Sequence, residues 1–226
     1  EQFQMLLGYL KMYVILDEVI QMHLQYNQSS IQKILITPQM KKEYFDFRYF
    51  NSKNNEKVLY IHIPFCIRKC KYCVCQSGVL TDCIEKDVYI EQVIYKQIEE
   101  YKFLLNELHF SQVYFGGGTP TILSSDELEA IFEKIPNFES IPIKCIECSP
   151  ETLSEEHLVL LKKYKFNFIS IGIQSLDKKI CKKQNRYYLT KDEIGHLSEA
   201  LIRSGIYFNY DLICFMEKGD IRDLKK

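Results

Sequence analysis

From Lys57 onward the chain alternates short apolar segments of strand length with longer amphipathic ones, and this alternation limits the fold more than any other feature. The strand segments are Val58 to Ile63, Gln112 to Phe115, Ile143 to Cys148, Phe168 to Ile173 and Tyr207 to Ile213. Helical periodicity fills the gaps at about Glu85 to Leu108, Ser125 to Lys134, Glu155 to Tyr164 and Lys191 to Ser204. Ser125, followed by Leu128 and Ile131, suits an N-cap, and Gly205 after Ser204 suits a C-cap. Strands separated by helices require right-handed crossovers, so the five strands are expected to form a parallel sheet covered by helices. The expected class is α/β and barrel-like, with ligands gathered at the C-terminal strand ends.

Ahead of this region, residues 3 to about 27 carry Leu6, Leu10, Tyr13, Val14, Asp17, Ile20 and Leu24 at a spacing nearer to helix than to strand. Asn27 to Ser30 breaks the pattern, and Lys41 to Glu56 mixes aromatic with polar residues as a linker does. Residues 1–56 therefore read as a helical extension and linker, a packing appendage without chemistry of its own. Residues 57–226 read as the core. A first residue that is not methionine, and an end at Lys226 within a charged stretch, read as a piece of a longer chain or a degenerate one.

A length of 226 residues, 46% hydrophobic, supports one substantial core and is short for two. With 29 basic and 30 acidic side chains there is no global charge to favour nucleic acid or an anionic membrane. Nine cysteines, an odd number, and no signal-like start argue against a secreted disulfide framework and for the reducing cytoplasm. The apolar N-terminal run is broken by Lys11, Asp17 and Glu18, so no membrane span is expected.

Three of the cysteines, Cys66, Cys70 and Cys73, fall within eight residues of YIHIPFCIRKCKYC, where the first strand ends. Thiolates at such spacing on one loop suit three irons of a cubane cluster, leaving the fourth iron open to a small molecule. The rival is a four-thiolate zinc site that includes Cys75, but structural zinc draws its ligands as two separated pairs and no second pair follows.

The order of motifs carries a resemblance. YIHIPFC with its following cysteines, then FGGGTP at Phe115 to Pro120, then IGIQSLD at Ile171 to Asp177 resemble the radical S-adenosylmethionine (SAM) enzymes, and within them the oxygen-independent coproporphyrinogen III oxidase group. The match runs from about Leu59 to Ile213. It implies a (βα)6 barrel, of which five strands are visible, and a 4Fe-4S cluster on Cys66, Cys70 and Cys73. SAM would bind the open iron and be cleaved reductively to methionine and a 5'-deoxyadenosyl radical. It further implies a small-molecule substrate of tetrapyrrole kind and an electron donor such as flavodoxin or ferredoxin.

The resemblance also implies the SAM contacts. Gly117 and Gly118, with Gly116, end the second strand without side chains and admit the methionyl end closely. Thr119 adds a hydroxyl, and Pro120 stiffens the turn. Arg186 presents a planar donor fork to the SAM carboxylate. Glu147, Gln174 and Asp211 lie near strand ends, where they serve the ribose hydroxyls or the ammonium. Tyr60 and Tyr72 match contacts near cluster and SAM.

Among the remaining cysteines, Cys75 completes a Cys-x-Cys typical of the oxidase group, where the related haem chaperones usually carry an aromatic. It serves substrate chemistry or is a small loop residue; both readings stand. Cys83, Cys145, Cys148, Cys181 and Cys214 read as small hydrophobes in or near the core. Tyr207, Tyr210 and Phe208 read as core or wall aromatics, and His62 as a structural hydrogen-bonding residue. The chain departs from the family after Asp211 to Ile213, where Cys214 to Glu217 replace the usual tyrosine, glycine, leucine and proline. The sixth strand and the substrate-covering domain are not in view. Two other functions share this core: a haem-binding trafficking protein and a radical SAM methyltransferase.

Overall fold

The computed structural model describes residues 14–15 and 57–213 of the chain. Strand β1 is Val14–Ile15, β2 is Val58–Ile63, β3 is Phe65–Cys66 and β4 is Gly78–Val79. Helix α1 (Cys83–Tyr89) leads through a π-helical stretch, Ile90–Tyr95, into α2 (Lys96–Glu100) and α3 (Lys102–Glu107). Then come β5 (Gln112–Gly117), α4 (Ser125–Lys134), β6 (Ile143–Cys148), α5 (Glu155–Lys163), β7 (Phe168–Gln174), α6 (Lys178–Lys183), α7 (Lys191–Ser204) and β8 (Tyr207–Leu212). The main sheet runs β1-β2-β5-β6-β7-β8, with every pair parallel except β1 on β2. These are the five parallel strands of the expected α/β fold, and the sheet remains open among the described residues.

Alternation explains which face holds the core. In β2, Leu59, Ile61 and Ile63 are buried, whereas Tyr60 and His62 on the opposite face are half-buried. In β7, Ile169, Ile171 and Ile173 repeat the pattern, with Ser170, Gly172 and Gln174 opposite. The apolar face packs against Leu128, Ile131 and Phe132 of α4, Leu158 and Leu161 of α5, and Leu201 of α7. Phe132 is its aromatic hub, stacked on Phe138 at 4.8 Å and edge-on to Phe115 at 5.1 Å. The other face is left for chemistry.

Helix starts follow sequence chemistry. Capping boxes open α4 (Ser124 with Glu127), α5 (Ser154 with His157) and α7 (Thr190 with Glu193). The N-cap of α4 is thus Ser124 and not Ser125, because Glu127 stands three residues after Ser124 and closes the reciprocal bonds. Gly205 caps α7 with φ of 75°, as its position predicts.

The structure corrects four further expectations. The segment Glu85 to Leu108 is broken, because apolar periodicity registers the buried face but not the change of hydrogen-bond register at Ile90–Tyr95. Val14, read as helical, lies in β1, where it pairs with Leu59 along the edge of β2; the rest of residues 1–56 is outside the described residues. Cys83 is exposed at the start of α1 instead of buried. Tyr207 is 80% exposed, since β8 has only β7 beside it among the described residues. Cys145, Cys148 and Cys181 are buried as expected, and Cys214 falls outside the described residues.

Candidate functional site

The chain leaves β2 at Pro64 and enters a loop whose two ends are clasped together. β3 pairs with β4 in parallel, and Gly78 N donates to Pro64 O at 2.8 Å while Leu80 N donates to Cys66 O at 2.9 Å. Within the loop, the Lys69 ammonium donates to the carbonyls of Cys75 (2.8 Å) and Ser77 (3.1 Å) and to the Ser77 hydroxyl (3.2 Å). Cys66, Cys70 and Cys73 sit on this clasped loop. No three His, Cys, Asp or Glu side chains among the described residues are arranged round one ion. A cubane takes one thiolate per iron, so its three sulfurs need not meet at a point.

The segment after α6 braces the loop from the side. Lys71 N donates to Gln184 O at 3.0 Å, Asn185 Nδ2 donates to Lys69 O at 3.0 Å, and the Cys70 thiol lies 3.6 Å from Asn185 O. A second brace is the ion pair of Arg68 with Glu151 at 2.6 Å, which ties the cysteine loop to the turn after β6. Arg68 also lies over the Tyr187 ring at 5.7 Å.

The glycines at the end of β5 seat the loop. Gly118 N donates to Ile63 O at 2.7 Å, and a Cβ on Gly118 would lie 2.5 Å from Phe65 O and 3.0 Å from Cys66 Sγ. Gly117 has φ of +114°, and its Cβ would lie 2.7 Å from the His62 ring. Only residues without side chains allow this approach. Thr119 donates to Cys66 Sγ at 3.5 Å.

Cys66, Cys70, Cys73, Tyr72, Gly117, Gly118, Thr119, Glu147, Gln174, Arg186 and Asp211 line one cavity of about 380 Å³ next to the loop, whereas Tyr60, Gly116 and Pro120 do not. On its wall, Arg186 donates to Ser149 Oγ at 3.3 Å and to the carbonyl of Gly172, with Cys70 Sγ at 3.9 Å; its buried Nε has no partner among the described residues. Gly172 makes room, since a Cβ there would lie 3.0 Å from the guanidinium and 2.8 Å from Gln174 Nε2. Gln174 turns the strand end with φ of 72°. Asp211 accepts from Ser170 Oγ at 2.7 Å and from Asn209. Burial, offset partly by nearby Arg186, raises the Tyr72 phenol, and the neighbouring Cys70 adds to the rise. Burial and then the neighbouring Cys73 raise the Cys75 thiol.

Tyr60 stands behind the cavity. Its hydroxyl bonds His62 Nδ1 at 3.2 Å, His62 Nε2 bonds Gln76 O at 3.0 Å, and its ring stacks on Tyr114 at 6.0 Å. His62 is thus the structural bridge expected of it. Tyr114 in turn donates to Glu147 Oε1 at 2.7 Å, a bond that sequence reading missed, as it missed Arg68, Ser149 and Glu151 on the cavity wall. The available signal was position: Tyr114 is paired with Tyr60 across β2 and β5, and Ser149 and Glu151 follow the end of β6.

The donor set suits an iron-sulfur cluster with a small polar ligand beside it. Three thiols share one clasped loop, and an unpartnered guanidinium N–H and several strand-end carboxylate and amide groups line the adjoining cavity.

Known proteins align with this arrangement. A heme chaperone HemW from Buchnera aphidicola subsp. Acyrthosiphon pisum is 32% identical over 145 residues, 63% of this chain and 38% of that protein. An oxygen-independent coproporphyrinogen III oxidase from Helicobacter pylori strain J99 is 31% identical over 177 residues, 74% of this chain and 38% of that protein. The solved coproporphyrinogen III oxidase (HemN) from Escherichia coli, described as a radical SAM enzyme, shares the fold. It has a TM-score of 0.65 and 23% identity over 88% of this chain and 46% of that one. The chain therefore spans less than half the length of these relatives. The family model of the radical SAM superfamily matches residues 60–225, and the chain belongs to that superfamily, whose cofactors are a 4Fe-4S cluster and SAM.

Proposed function

We propose that the protein is a radical SAM oxidoreductase of the coproporphyrinogen III oxidase kind, acting in the cytoplasm on a tetrapyrrole or related small molecule. The observation that carries the reading is the three-thiol loop opening onto a cavity lined by Arg186, Glu147, Gln174 and Asp211. When bound, the cluster and SAM would supply radical chemistry able to remove a hydrogen atom from substrate.

The chain's own residues hold, orient and screen. Cys66, Cys70 and Cys73 ligate the cluster. Arg186, with its spare Nε, pairs with the SAM carboxylate. Glu147, Gln174 and Asp211 accept from the ammonium and the ribose hydroxyls, and Gly117, Gly118 and Thr119 receive the methionyl end. Tyr72 covers the cluster beside Cys70, and Tyr60 supports the floor through His62. An electron donor such as flavodoxin or ferredoxin would supply electrons to the cluster.

A second reading, haem trafficking without oxidation, is favoured by the relatives named as heme chaperones. Anaerobic reconstitution with iron and sulfide, followed by dithionite and SAM, is expected to yield 5'-deoxyadenosine. A cluster-loaded sample that yields none defeats the enzyme reading. Tight stoichiometric haem binding without porphyrinogen turnover selects the second. No described helix is long and apolar enough to cross a membrane.

A further inference from the structure

We propose that the lysine face of α6 docks an acidic one-electron carrier protein beside the cluster loop. This rests on the reading that the protein carries a cluster which must be reduced from outside. Lys178, Lys179, Lys182 and Lys183 are all exposed on this six-residue helix, while Ile180 and Cys181 are buried beneath it. The lysines fall in two adjacent columns, each with a spacing of four residues, so they form one cationic face.

That face is costly at the start of the helix. Like charges four residues apart work against helix formation. Lys178 and Lys179 occupy the first turn, where the dipole disfavours cations, although Lys178 lies over the Tyr188 ring at 6.0 Å; Lys182 and Lys183 stand in the last turn, where the dipole favours them. The chain as a whole has a formal net charge of -1, so this is a local concentration of charge and not a general basicity.

Its placement supplies the reason. The residues that follow α6 directly touch the cysteine loop: Gln184 O accepts from Lys71 N, Asn185 donates to Lys69 O, and Arg186 reaches Cys70 Sγ at 3.9 Å. Exposed Lys71, next to Cys70, extends the patch onto the loop itself. A negatively charged carrier drawn to these lysines arrives at the flank of the cluster without entering the cavity that takes SAM and substrate. Complementary fields of this kind raise the encounter rate and fix the orientation of docking. In the step served, one electron leaves the reduced carrier, which is oxidised by one unit, and the cluster is reduced by one unit. No bond or proton changes hands.

The test uses a bacterial flavodoxin of strongly negative net charge as probe, titrated calorimetrically into the protein with and without its cluster. Substituting K178Q, K179Q, K182Q and K183Q together is expected to weaken binding roughly tenfold at low salt and to flatten its salt dependence. The pairs K178Q/K182Q and K179Q/K183Q should each give an intermediate loss with an unchanged melting temperature. Dithionite needs no docking site and should reduce wild type and variant alike, read from the spectrum of the reduced cluster. Unchanged flavodoxin affinity in the fourfold variant overturns the proposal. So does loss of single-stranded RNA binding in that variant with flavodoxin binding kept. Carrier binding that depends on the lysines, in a protein that cleaves no SAM with dithionite, leaves the docking face standing and removes the proposed function.

Discussion

The Tyr114 hydroxyl donates to Glu147 Oε1 at 2.7 Å from behind the cavity wall, while the Tyr114 ring lies stacked on Tyr60. Tyr114→Phe removes the hydroxyl and keeps the stack. If Glu147 serves SAM, losing this neutral-to-charged hydrogen bond weakens SAM binding by roughly threefold to tenfold, about 1 kcal/mol. Equilibrium dialysis on cluster-loaded protein measures this. In a Glu147→Gln background the Tyr114 change should add little, and additive losses would show that the pair does not act as a unit.

Each of Cys66→Ser, Cys70→Ser and Cys73→Ser is expected to abolish bound iron and visible cluster absorption after anaerobic reconstitution. Cys75→Ser should retain both. Iron assay separates these outcomes, and a Cys75 variant that loses its iron would revive the four-thiolate site.

Gly118→Ala places a methyl group 2.5 Å from Phe65 O and 3.0 Å from Cys66 Sγ, both on the segment that begins the cysteine loop. The backbone has to shift, at roughly 1–3 kcal/mol, and cluster retention should fall with it. Gly195 offers the contrast, since it lies within α7 and a Cβ there meets nothing within 4 Å. Gly195→Ala should therefore stabilise by about 1 kcal/mol. Urea denaturation of the two variants should give opposite signs.

Burial first, and then the charge of Glu147, push the Tyr60 phenol up to about 12. In the unfolded chain a phenol titrates near 10. Its contribution to stability is thus constant below about pH 10 and declines as pH rises toward 12, because only the unfolded state then releases the proton. Tyr89 and Tyr114 are shifted in the same direction, so Tyr60→Phe should make the alkaline decline shallower without abolishing it. Denaturation curves at pH 8 and about pH 11 check the slope.

What could be read from sequence followed how local the cause was. β2 and β6 have the bounds their apolar runs predict, and β5 runs two residues past its apolar stretch because Gly116 and Gly117 continue to pair with His62 and Ile63. The start of α4 was off by one because two serines stand together and only the reach of Glu127 decides between them. Helix α6 was not expected, since four lysines around Ile180 and Cys181 give almost no apolar signal. The cysteines, Gly117, Gly118 and Arg186 stand out because their types and order are distinctive, and the structure brings them to one cavity. Tyr114, Arg68 and Glu151 escaped because their roles depend on pairings across 33 and 83 residues of sequence, which no local pattern encodes.

The Lys69 ammonium, holding three oxygens at the far end of its own loop, has a consequence for how the protein matures. A ligand loop already closed by an internal cation has little backbone freedom left to lose when iron arrives. Metal loading can then follow chain folding as a separate event, with an apoprotein that waits in near-final shape for delivery of its inorganic part.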